Sequence, residues 1–146
     1  MAIVCSWRRK VYKCDAETAH NEINKLDEKT AENVVELARP EDNPLHDDFD
    51  WRDDIAGQKW RIHQAHMMLC NLIVKCEEIC SDPEAEVRAF ISVEEKSVYK
   101  PIEVVLKSED DYNYMLNKAK RELQAFKRKY ATLQELKPLF AMIDEL

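Results

Sequence analysis

The stretch WRDDIAGQKWRIHQAHMMLCNLIVKCEEIC, residues 51–80, decides how the chain is read. Ala56, Trp60, His63, Met67, Cys70 and Val74 step by four and three, and Ile55, Ile62, Leu69 and Cys76 recur every seven residues. That is the spacing of a helical face. Asp50 stands at an N-cap position, and Asp53 and Asp54 suit the positive end of a helix. The spacing predicts one helix over 51–80, apolar on most sides in its second half and therefore central to the core.

Downstream, Ser81-Asp82-Pro83 breaks the pattern. Residues 87–93 read as a strand and 97–106 as its partner, with Glu94-Glu95-Lys96 turning between them. Pro101 implies a bulge or an exposed edge in the second strand. Ser108 caps a last long helix, with Asp111 at the capping-box position. On that helix Tyr112, Leu116, Ala119, Leu123, Phe126, Tyr130 and Leu133 alternate steps of four and three. Thr132 and Glu135 start a final segment that Pro138 should kink or restart.

Upstream, residues 41–50 form a loop punctuated by Pro40 and Pro44. Asp15 caps a helix over 16–29 that carries Ala19, Ile23 and Leu26 on one face. Thr30 caps a second, short helix with Val34, Val35, Leu37 and Ala38 on its apolar side. Pro40 ends it. Residues 1–14 hold Arg8, Arg9, Lys10 and Lys13 and no acid, and read as a tail or an edge strand. The expectation is an α+β fold in a single domain over residues 1–146. Two long helices form its helical core, with shorter N-terminal helices and a small antiparallel hairpin or sheet.

Composition narrows function. Among 146 residues Gly57 is the only glycine, so phosphate-cradling loops, which need several, are excluded. A hydrophobic content of 45% suits a globular core, and a net charge of −7 argues against a generic nucleic-acid binder. The five cysteines include no CxxC pair, and no apolar h-region follows Arg8, Arg9 and Lys10. The longest apolar stretch, 67–74, is too short to span a bilayer. Reduced thiols in a cytoplasm, a host's included, are the simplest reading, with no membrane partner.

Four groups of residues could carry chemistry. His63, His66 and Cys70 share a helix side at metal-ligand spacing, and Cys76 and Cys80 lie four apart. The apolar surroundings favour packing instead, and no metal or cofactor is expected. The acids Glu41, Asp42, Asp47, Asp48, Asp50, Asp53 and Asp54 surround His46, where helix capping and solvation explain them more simply than a cation site. No nucleophile–base motif appears, so no catalytic residue is assigned. Lys118, Lys120, Arg121, Lys127, Arg128 and Lys129 on the last long helix are the nucleic-acid candidates, against the plainer reading of a solvated face. The 4-3 seam of the same helix wants a partner, either the 51–80 helix or a second copy of the chain.

Val34-Val35, Ala38-Arg39, Pro44-Leu45-His46, Phe49, Trp51, Ala56, Arg61 and Gln64-Ala65 resemble a family of small phage and prophage proteins. Val87-Arg88-Ala89-Phe90 and Glu122-Leu123 with Phe126-Lys127 are similar too, and the likeness covers roughly residues 11–146. Gly57 and His66 stand where relatives carry alanine and arginine. The most specific part is the Pro-Leu-His-x-x-Phe-x-Trp loop, in which Leu45, His46, Phe49 and Trp51 either clamp two helices or meet a partner. The family has no assigned activity, so the resemblance implies phage biology without a mechanism. The expected function is a non-enzymatic accessory protein acting on a phage or host protein, as a homodimer. A nucleic-acid-binding regulator using the basic helix is the alternative, and a metal-assisted enzyme comes last.

Overall fold

A computed structural model describes residues 3–53, 57–93 and 98–146. The chain divides into two compact units, Met1–Val105 and Leu106–Leu146. The class is α+β: helices with small antiparallel sheets of three and two strands.

The first unit opens with strand β1, Val4–Trp7, followed by helices α1, Ala16–Asn24, and α2, Ala31–Ala38. Both helices start where their caps predict. The Asp15 side chain accepts from Thr18 N, and the Thr30 side chain accepts from Asn33 N. Helix α1 stops at Asn24, five residues short of the expected end, and Lys29 instead forms a β-bridge with Tyr99. A 3₁₀ turn, His46–Asp48, lies in the predicted loop.

The decisive stretch does not form one helix. Helix α3 spans Gly57–Asn71, and the chain continues directly as strand β2, Leu72–Lys75. Leu72 and Val74 are buried while Lys75 is exposed, so the period switches from 3.6 to 2 where β-branched Ile73 and Val74 begin. Strand β2 is the middle of the first sheet, in the order β1-β2-β3, pairing Cys5 with Val74 and Ile73 with Arg88. The buried face of α3 also differs from the expected one. Arg61, Ala65, Met68 and Leu69 point inward, while Trp60 and Met67 are about half exposed, at 51% and 47%. Asp50 does not cap α3; its carboxylate binds the Arg52 side chain. Asp54, Ile55 and Ala56 lie outside the described residues.

The predicted strand over 87–93 splits into β3, Val87–Arg88, and β4, Phe90–Ser92. Ala89, fully buried, switches the chain between sheets. Its N–H donates to Leu72 O in β2, and its carbonyl accepts from Ile102 N. Strand β4 pairs with β5, Tyr99–Pro101, after which helix α4, Ile102–Val105, replaces the rest of the expected strand. Pro101 ends β5 opposite Phe90. The turn expected at Glu94-Glu95-Lys96 falls outside the described residues.

The second unit contains helix α5, Glu109–Lys129, a 3₁₀ turn Gln134–Leu136 and helix α6, Lys137–Asp144. Ser108 caps α5 by accepting from Asp111 N, and Pro138 restarts the chain as α6, sitting in its first turn where a missing N–H costs nothing. Within this unit α5 packs against α6 through Phe126 and Phe140, whose rings lie 6.4 Å apart.

Candidate functional site

The aromatic loop is a clamp built on its own backbone. Leu45 is fully buried and Phe49 nearly so. The indole N–H of Trp51 donates to His46 O at 2.6 Å, and the two rings stack with centroids 4.9 Å apart. His46 Nδ1 lies 2.9 Å from Ala38 O, an interaction that fixes it as the Nδ1–H donor and ties the loop to the end of α2. Two guanidiniums reach the Trp51 ring, Arg39 at 5.3 Å and Arg61 at 5.4 Å. Arg61 is only 4% exposed, so its charge must be satisfied locally. It donates to Asp50 O, Gln58 Oε1 and Asp53 Oδ1. This arginine was placed in the sequence by resemblance alone; its role as the buried hub of the loop was not legible there.

The proposed metal ligands diverge. His63 packs on Trp60, with centroids 5.5 Å apart, while His66 Nδ1 lies 3.1 Å from the Tyr99 hydroxyl. Cys70 Sγ accepts from Arg88 Nη2 at 3.0 Å. Among the described residues no three metal-ligating side chains converge. The acidic loop residues serve the backbone and nearby cations. Asp48 accepts from Lys13 N and Cys14 N, and Asp50, held by Arg52, has its carboxyl drawn down to about 2.

Residues 8–14 form an arch that the sequence did not reveal. At one end the Asn71 side chain accepts from Arg9 N at 2.7 Å and donates to Arg9 O at 3.0 Å, imitating a strand partner. At the other end stand the two Asp48 bonds, and Trp7 braces the middle, with its ring 4.2 Å from that of Tyr12. The arch holds Val11 72% exposed. Cavities of about 310 and 320 Å³ flank it and share Val11, Tyr12 and Met67 as walls.

No family model, curated protein or solved structure matches the chain.

The basic residues of α5 do not form one stripe. At about 100° per residue, Lys120 and Lys127 flank the apolar seam, Arg121 and Arg128 face away from it, and Lys118 and Lys129 lie on the other flank. Lys127 is tied to the Asp144 carboxylate on α6, and Lys129 lies over the Tyr130 ring. Lys120, Arg121 and Arg128 do meet, around a cavity of about 440 Å³ that Gln124, Ile143 and Leu146 complete.

The seam itself is open. Not one of the 21 residues of α5 is buried, and Tyr112, Leu116, Leu123 and Phe126 are 37–44% exposed. The first turn holds Glu109, Asp110 and Asp111, and the last turn holds Lys127, Arg128 and Lys129. These signs suit the helix macrodipole. They also give the helix one acidic and one basic end.

Proposed function

We propose that this is a non-enzymatic phage accessory protein of the host cytoplasm that works through protein contacts as a homodimer, with two copies of α5 packed antiparallel. The half-exposed 4-3 seam on a helix without a buried residue carries this reading. A two-fold axis near Ala119 brings Tyr112 opposite Phe126 and Leu116 opposite Leu123 in the second copy. The small alanine at the crossing allows close approach. The same operation sets each acidic first turn against the partner's basic last turn, and such an interface is self-complementary, as a two-fold contact requires. Support for the phage setting is the likeness of the Pro-Leu-His-x-x-Phe-x-Trp loop.

Sedimentation velocity tests the reading. A dimer is expected at micromolar concentration, and Leu116→Glu with Leu123→Glu should give a monomer of unchanged helicity. Glu109→Lys with Asp110→Lys should weaken the dimer, and adding Arg128→Glu with Lys129→Glu should restore it. A wild-type monomer at these concentrations, or a double-glutamate variant that stays dimeric, overturns the assignment.

The second reading, nucleic-acid binding, rests on the cavity shared by Lys120, Arg121 and Arg128. Three phosphate contacts would give a log–log salt slope of about −2.7 on duplex DNA. A shift assay showing submicromolar, salt-sensitive binding that Arg121→Glu and Arg128→Glu abolish would favour it over the dimer.

A further inference from the structure

Cys70, at the inner end of α3, is set apart from the other thiols by what surrounds its sulfur. Arg88 Nη2 donates into Sγ at 3.0 Å from strand β3, and the Tyr99 hydroxyl on β5 is hydrogen-bonded to the same sulfur. Behind Tyr99, His66 Nδ1 stands 3.1 Å from the phenolic oxygen. Arg88 and Tyr99 thus both sit against the sulfur, the kind of electropositive, hydrogen-bonding setting in which cysteines act as nucleophiles. The Arg88 Nε is itself buried with no hydrogen-bond partner. In front of Cys70 lies the cavity of about 310 Å³, lined also by Arg8, Arg9, Tyr12 and Asn71. The sulfur thus faces an accessible space whose charged wall residues are both cationic.

The other thiols lack this setting. Burial pushes Cys5 and Cys14 up to about 11, with acidic neighbours adding to the effect. Cys76 is buried, and Cys80 is half-buried in the turn after β2.

From this geometry we infer that Cys70 is a mixed-disulfide site for a small anionic disulfide, a peptide disulfide bearing carboxylates. The Cys70 thiolate attacks one sulfur of the small molecule, whose S–S bond breaks as the Cys70–S bond forms. The second half leaves as a thiolate that takes a proton from solvent, and the incoming disulfide is the only oxidant needed. Arg9 holds a carboxylate of the attached half in the cavity, and Arg8, whose Nε is paired with the exposed Glu86 carboxylate at 3.2 Å, adds its remaining donors. The inference is independent of the α5 dimer, since every residue it uses lies in the first unit.

Glutathione disulfide is the anionic probe and cystamine the cationic one. The native full-length chain is treated with each, the first adduct is located by peptide mass mapping, and each rate is divided by that of the urea-unfolded chain. The first adduct is expected on Cys70, with the normalised rate for glutathione disulfide roughly tenfold above that for cystamine, as a cationic wall gives. Arg9→Gln, at an exposed position, should reduce that preference. Tyr99→Phe keeps the ring and should slow both probes while native circular dichroism is retained. First modification at Cys80 or any other thiol overturns the inference. So do equal normalised rates for the two probes at Cys70, or an unslowed Tyr99→Phe that is natively folded.

Discussion

The two compact units use the same apolar code and end in different states. In Met1–Val105 the large side chains Phe90, Ile23, Leu45, Leu69 and Leu72 are essentially sealed from water. In Leu106–Leu146 burial reaches only Phe140 and Ile143, and the seam of α5 stays half open. The difference is one of supply. The first unit has sheets and three helices of eight residues or more to lay over each other, whereas the second has one short helix to cover a long one. A unit of about forty residues sits at the size where folding generally needs help from association. Regular 4-3 spacing therefore reports that a helix has an apolar face, and the rest of the unit decides whether that face is covered.

The largest expected effect tests this contrast directly. Phe90→Ala should cost about 3–5 kcal/mol in urea unfolding, because the ring is fully buried beside Ala89 where the two sheets meet. Leu123→Ala, at 37% exposure, should cost less than about 1 kcal/mol when measured at high dilution, where the proposed dimer would be dissociated. Equal losses at that dilution would break the comparison, since α5 would then be as well packed as the first core.

A smaller effect sharpens it. Asn71→Ala removes both side-chain bonds to the Arg9 backbone; the N–H loses its partner, and the C=O keeps only the Val11 N–H. The expected loss is about 1–2 kcal/mol, the cost of leaving one partly buried backbone N–H unmatched. The Arg9 amide should also exchange its hydrogen faster. If stability and exchange are unchanged, the arch over residues 8–14 is held by other contacts, and its exposed Val11 is not preset by the fold.

Asn71 also shows where the sequence stops being readable. Helix starts are legible because a cap is a local bond, and Asp15, Thr30 and Ser108 each make theirs within three residues. The end of α3 is not, because Asn71 stops the helix by bonding to a residue 62 positions away. The switch into β2 hid for the same reason. Leu72, Ile73 and Val74 fit either period, and their strand is fixed by pairing with Trp7, Ser6 and Cys5. Arg61 stands out in the sequence only through the resemblance, because nothing local says that Asp50, Asp53 and Gln58 converge on it. Of the candidate residues, the basic positions were legible as a charged helix. That Lys127 is tied to Asp144, and that Cys70 is paired with Arg88, depends on contacts 17 and 18 residues apart.

The smallest expected effect is a pH dependence confined to the first unit. His20 on α1 is 6% exposed, and its ring lies 5.2 Å from that of Phe90. Asn24 Nδ2 is 3.2 Å from His20 Nδ1, so Nδ1 accepts and the proton sits on Nε2, which is buried with no partner. Charging the ring would place a second N–H against the Asn24 amide donor. Burial accordingly lowers the His20 pKa; Glu103 opposes the shift and Lys29 adds to it. The unfolded chain then binds more protons than the folded one between the folded value and the ordinary value of about 6.5. Stability is complete above that ordinary value and declines as pH falls below it. The urea midpoint should therefore drop from pH 7.5 to pH 5.5, a window chosen because carboxylates titrate mainly lower. His20→Gln should flatten that drop, and the association constant of the proposed α5 dimer should not follow it, since His20 belongs to the other unit. An identical drop in His20→Gln would place the titrating group elsewhere and remove the buried neutral histidine from the account of the first core.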